Sequence, residues 1–230
     1  MRELCKYKIA RFIIFVGTNI MFYLSLLEHK FGLPPEYLPS KLQEEEHQHP
    51  LENGVKKQLE KFFLDKVIPN LGLCISIYDI RNISGGDIAP AAGYPTYKVK
   101  FRVIVFRPFK GEVISASLCD SNENGLRLSL GFFDDVHIPS HRFPFRSSKE
   151  TDREVLKSCK YSVLWRWDFE DDDQNESQTL YIFGDSEIKF RVESVSFPPV
   201  PTESNGQPFA PMLVYGSIED SGLGPVSWWD

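Results

Sequence analysis

The chain has 230 residues, 42% of them hydrophobic and 25% charged, a composition ordinary for a soluble globular protein and a length sufficient for one large domain or two small ones. Its net charge of −6 excludes a basic nucleic-acid wrapper, and its four cysteines, Cys5, Cys74, Cys119 and Cys159, contain no C-x-x-C pair, which excludes a zinc ribbon and a dithiol redox motif. The charge is divided unevenly: residues 1–109 carry 15 basic and 11 acidic side chains, whereas residues 110–230 carry 11 and 21, a net −10.

Ile9 to Leu27 is mostly apolar, with Arg2, Lys6 and Lys8 ahead of it, and Asn82-Ile83-Ser84 and Asn175-Glu176-Ser177 are formal glycosylation sequons. Together these features suggest a secreted or membrane-tethered protein. Arg11 and Gly17-Thr18-Asn19 interrupt the apolar run, however, and no small-residue cleavage site follows. We read Met1–Ile20 as an upstream extension, with no membrane role, and the first strand as Met21–Phe31. Gly32–His49 is a loop containing Glu44-Glu45-Glu46. Leu51, Val55, Leu59, Phe62 and Phe63 recur at helical spacing, and Pro50 suits a first turn. Leu71–Ile80 reads as a buried strand, Ser84–Pro95 as a loop, and Tyr97–Phe106 as a strand with one wet side. Residues 21–107 thus form a small α+β domain of three strands and at least one helix.

Residues 108–230 read as almost wholly strand. Gly111-Glu112-Val113 opens one strand, Asn124-Gly125 supplies a tight reversal, and Leu126, Leu128 and Leu130 alternate with Arg127, Ser129 and Gly131. Gly131 removes a side chain where a small barrel bends. A meander of this kind opens an OB-type barrel, a class that binds single-stranded nucleic acid on one strand face. A charged insertion near residues 146–160 precedes strands at 162–169, 179–183 and 187–197. Phe197–Pro211 is a Pro/Ser/Gly loop, and Leu213–Ile218 is the last strand. Trp165 and Trp167 read as core or partner-facing, and Trp228-Trp229 needs cover from elsewhere. Asp171-Asp172-Asp173 reads as a solvated hairpin tip rather than a metal triad, and His47 and His49 lack a second ligand pair. The sequence calls for no cofactor.

Three segments carry a family resemblance. They are Leu64-Asp65-Lys66-Val67-Ile68-Pro69-Asn70-Leu71-Gly72-Leu73-Cys74-Ile75, then Gly86, Ile88, Pro90 and Gly93, then Val99-Lys100-Phe101-Arg102 through Phe109-Lys110-Gly111-Glu112-Val113. The chain from Met21 to Trp229 resembles the larger stalk subunit of multisubunit RNA polymerases, a family with archaeal and eukaryotic members. Gly131-Phe132-Phe133-Asp134-Asp135 and the Ser221–Trp229 ending look like the RNA polymerase III version. The resemblance implies an N-terminal domain that docks on the polymerase core and an S1-like OB barrel that projects near the RNA exit. It also implies a smaller stalk subunit bound across both, a role in transcription initiation, no chemistry of its own, and a nuclear location. Gly86, Ile88, Pro90 and Gly93 match the docking loop. Arg127, Phe133, His137 and Arg142 are the candidates for weak contact with nascent single-stranded RNA, through stacking and phosphate neutralisation. The competing expectation is a free-standing S1-type RNA-binding protein.

Overall fold

The computed structural model describes residues 8–11, 21–38, 50–88, 90, 93–150, 163–171, 176–183, 186–199 and 210–229. His47, His49 and most of the acidic tip at 171–173 lie outside these. The chain divides into two compact units, Met1–Arg107 and Pro108–Asp230.

The first unit is one antiparallel sheet with a helix on one face. Its strands are β1 (Lys8–Arg11), β2 (Phe22–Gly32), β3 (Val67–Ile68), β4 (Gly72–Ile88) and β5 (Pro95–Phe106), in the order β1-β2-β5-β4-β3. The helix α1 (Pro50–Phe63) arises from the expected spacing and turns Val55, Leu59 and Phe63 inward. These side chains meet Leu27 and Phe31 of β2, Cys74 and Ile77 of β4, and Val99, Phe101 and Val103 of β5 in one buried cluster. Burial pushes the Cys74 thiol up to about 12, with the Asp65 carboxylate adding to the effect. Cys74 is therefore a small buried hydrophobe, as its apolar surroundings in sequence suggest.

Two features depart from the sequence reading. β4 continues through Ser84 to Ile88, into the span expected to be loop, because β5 pairs with it out to Pro95. Four register shifts along β4 let so long a strand follow the twist of the sheet. In addition, Lys8–Arg11 of the upstream extension pairs antiparallel with Ser25–Glu28, forming the edge of the sheet beyond the expected start at Met21.

The second unit contains a closed five-stranded barrel. Its strands are β6 (Val113–Asn122), β7 (Gly125–Ser129), β8 (Val136–Pro139), β12 (Glu187–Ser196) and β13 (Leu213–Ser217). They run β13-β8-β7-β6-β12, and β12 closes on β13. The β8–β13 pairing is parallel and the other pairings within the barrel are antiparallel. This is the OB topology, a Greek-key barrel in which the fifth strand sits between the third and fourth. Alternation fills the interior with Ile114, Leu118, Leu126, Leu128, Ile138, Phe190 and Val192. Of the expected Asn124-Gly125 pair, only Gly125 takes a positive φ, +140°, and a Cβ there would collide with the Ile138 carbonyl oxygen.

The insertion is larger than the charged stretch that marks it in sequence. β9 (Ser147–Lys149), β10 (Trp165–Asp171) and β11 (Glu176–Ile182) form a separate three-stranded sheet between the third and fourth barrel strands. Residues 162–169 and 179–183, read as strand, therefore belong mainly to this sheet and not to the barrel. Trp165 anchors it: its indole N–H donates to the Asn122 carbonyl at 3.2 Å, and its ring meets Phe143 edge-on at 4.8 Å. The Ser121 hydroxyl donates to the Val163 carbonyl at 2.6 Å, a second tie between barrel and insertion.

Candidate functional site: two exposed surfaces

The first surface is the β4–β5 tip. Gly86, on β4, has φ +105° and Gly93, ahead of β5, has φ +73°, conformations that β-carbons disfavour. Between them Ile88 ends β4 with 66% of its surface exposed, and Pro90 is also exposed. Tyr94 is exposed too, and sequence reasoning did not select it. An exposed apolar side chain on a hairpin shaped by glycine is a candidate contact point for another protein.

The second surface is the outer wall of the barrel. The strand register sets Arg127 of β7 opposite His137 of β8, and His137 opposite Tyr215 of β13. These three side chains form a row across adjacent strands, with the His137 and Tyr215 rings 6.2 Å apart. Burial lowers the His137 pKa; Asp135 opposes that effect and Arg127 adds to it. His137 is therefore neutral near pH 7 and offers a stackable ring rather than a cation. Tyr215 escaped the sequence reading because a strand pattern does not show which strand lies alongside.

Arg127 is held by its own loop. Its Nε donates to the Asp134 carbonyl at 3.0 Å and its Nη2 lies 3.3 Å from Asp135 Oδ1. Arg142 is not in the row; it sits between Glu219 at 3.2 Å and Glu193 at 3.9 Å. Phe133 corrects the expectation directly. It is 7% exposed, so its ring offers no stacking face, while Phe132 beside it is 47% exposed. The phase inverts there because the loop after Gly131, with φ +84°, interrupts strand alternation.

Among the described residues, no group of three or more His, Cys, Asp or Glu is placed to hold a metal ion, and no helix is long and apolar enough to cross a membrane.

The chain thus carries an α+β unit followed by an OB barrel, and the comparisons with known proteins match families in both. Residues 112–229 match the family described as RNA polymerase III subunit Rpc25. Residues 32–93 match the SHS2 domain found in the N terminus of Rpb7p and Rpc25p. The chain is 31% identical over 194 residues to DNA-directed RNA polymerase III subunit rpc8 of Schizosaccharomyces pombe, covering 78% of this chain and 90% of that protein. It is 31% identical over 191 residues to subunit RPC8 of Bos taurus, covering 78% and 88%. It is 28% identical over 239 residues to subunit RPC8 of Saccharomyces cerevisiae, covering 91% and 100%. The chain belongs to the RNA polymerase III subunit Rpc25 family.

Proposed function

We propose that this protein is a non-catalytic stalk subunit of RNA polymerase III. The observation that carries the reading is that similarity to named polymerase III subunits spans both structural units, up to 91% of the chain. A free-standing S1-type protein has no need of the first unit, whose glycine-shaped tip presents Ile88 to solvent.

In this reading the first unit docks on the polymerase core through Gly86, Ile88, Pro90 and Gly93. The smaller stalk subunit binds alongside as a heterodimer partner, and the protein works in the nucleus in support of initiation. The barrel touches nascent single-stranded RNA through Arg127, His137 and Tyr215, with Arg142 as an accessory cation. Contact is weak because carboxylates of the same chain already hold both arginines, and phosphate must compete for them. Residues 21–107 act as the docking domain and 108–230 as the RNA-facing domain.

The test is affinity purification of the tagged full-length chain, with the bound proteins identified by mass spectrometry. The two largest polymerase III subunits and one small partner are expected at equal abundance. Recovery of the chain alone, or with ribosomal RNA only, would overturn the reading.

A further inference from the structure

The second unit holds a cleft of about 460 Å³ beside the inserted sheet, and neither the docking tip nor the outer barrel row uses it. Its walls are aromatic: Phe145, Trp167, Phe169 and Trp229 line it. Phe145 is 86% exposed and Trp229 42%. Three of these rings form an array with Trp228: Trp167 lies 5.1 Å from Phe169, 5.3 Å from Trp228 and 6.4 Å from Trp229. Both lining indoles are fixed by backbone carbonyls, Trp167 donating to the Phe145 carbonyl at 3.0 Å and Trp229 to the Leu223 carbonyl at 2.9 Å. Their N–H groups are thereby spent, and what they present to the cleft is π-surface held in place before any ligand arrives.

The charge of the cleft says what it accepts. Its lining carries three carboxylates, Asp168, Glu219 and Asp220, against one cation, Arg146. Guanidinium groups of this chain already engage those carboxylates: Arg142 reaches Glu219, Arg191 reaches Asp220, and Arg166 lies 3.9 Å from Asp168. The Arg146 guanidinium sits 5.8 Å over the Phe145 ring. The site thus displays both ways of holding a guanidinium, stacking and carboxylate pairing, and an ionised carboxylate has acceptor sites beyond one arginine. A net-negative lining in a half carrying −10 repels a polyanion, so a nucleic acid fits poorly.

We propose that this cleft is a docking site for an extended, arginine-bearing segment of a protein partner. The partner's arginine side chain stacks on the aromatic wall and its guanidinium pairs with the rim carboxylates.

The test uses the full-length protein and a capped twelve-residue peptide alternating arginine and glycine, followed by tryptophan fluorescence and calorimetry. The Arg peptide is expected to bind one to one, the lysine version at least threefold more weakly, and the glutamate version not at all. Phe145→Ala, at a side chain too exposed to matter for folding, is expected to weaken the Arg peptide at least fivefold. Glu219→Gln combined with Asp168→Asn should do the same while leaving Tm within a few degrees. Any of four results overturns the proposal: the glutamate peptide binding equally well, undiminished affinity in both variants, an oligouridylate probe giving the Phe145-dependent signal, or Phe145-dependent self-association in sedimentation.

Discussion

Ile88 shows how one side chain can matter to assembly and not to folding. With two-thirds of its surface in water it contributes little to the first unit. Ile88→Asp should therefore leave thermal stability unchanged and remove the chain from purified polymerase, since an unpaired carboxylate buried in an interface costs on the order of several kcal/mol. Normal incorporation of the variant would refute the docking assignment. His29 is the opposite case. It is 7% exposed and sits among the rings of Phe31, Phe62 and Phe63, at 5.7, 5.9 and 5.4 Å. Burial lowers its pKa below the usual histidine value. Above about pH 6.5 both folded and unfolded forms hold it neutral and it adds no pH dependence. As pH falls below that value the unfolded chain takes up a proton that the folded chain resists, so stability falls until the folded pKa is passed. Urea titrations at pH 7.5 and 5.5 should show a larger loss for wild type than for His29→Phe.

At the scale of elements, the edge strand β1 changes what truncation does. A chain beginning at Met21 keeps α1, β2, β4 and β5 and their shared core, so it should fold. It also uncovers the Ser25–Glu28 edge of β2, and an exposed edge templates pairing with other chains. The expected outcome is unchanged circular dichroism with more aggregate in light scattering at high concentration. Loss of folded protein would mean that β1 contributes more than edge cover. The inserted sheet teaches a related point. Its strands alternate like barrel strands, and alternation reports one buried face without saying against which sheet. Pairing of β10 with β9 and β11 assigns its strands to the insertion, and alternation along one strand does not reveal its partners.

For the whole molecule, the charge division bears on the proposed RNA contact. A half at −10 gathers few phosphates, and Arg127 and Arg142 are already engaged in ion pairs. Isolated protein should bind single-stranded RNA weakly, with a shallow dependence on salt. Tyr215→Ala should weaken that binding about tenfold, given stacking worth about 1–3 kcal/mol per base. Arg127→Gln should flatten the salt slope further. A steep slope, or full affinity in Tyr215→Ala, would move RNA contact off this face.

Much of this was legible in sequence because it depends on neighbours along the chain. Helical spacing marked α1, alternation marked β2, β5 and β7, and Gly125 and Gly131 marked the places where the backbone turns. The motifs around Leu64–Ile75 and Ser221–Trp229 carried the family. What tertiary structure alone decided depends on pairing across the chain. Register put Arg127, His137 and Tyr215 in one row; the loop after Gly131 turned Phe133 inward; the partner strand carried β4 past its expected end; and the return of Trp229 to Trp167 built the aromatic cleft. A periodic pattern says that a face is buried, but the identity of what buries it is a long-range contact, and no local rule encodes it.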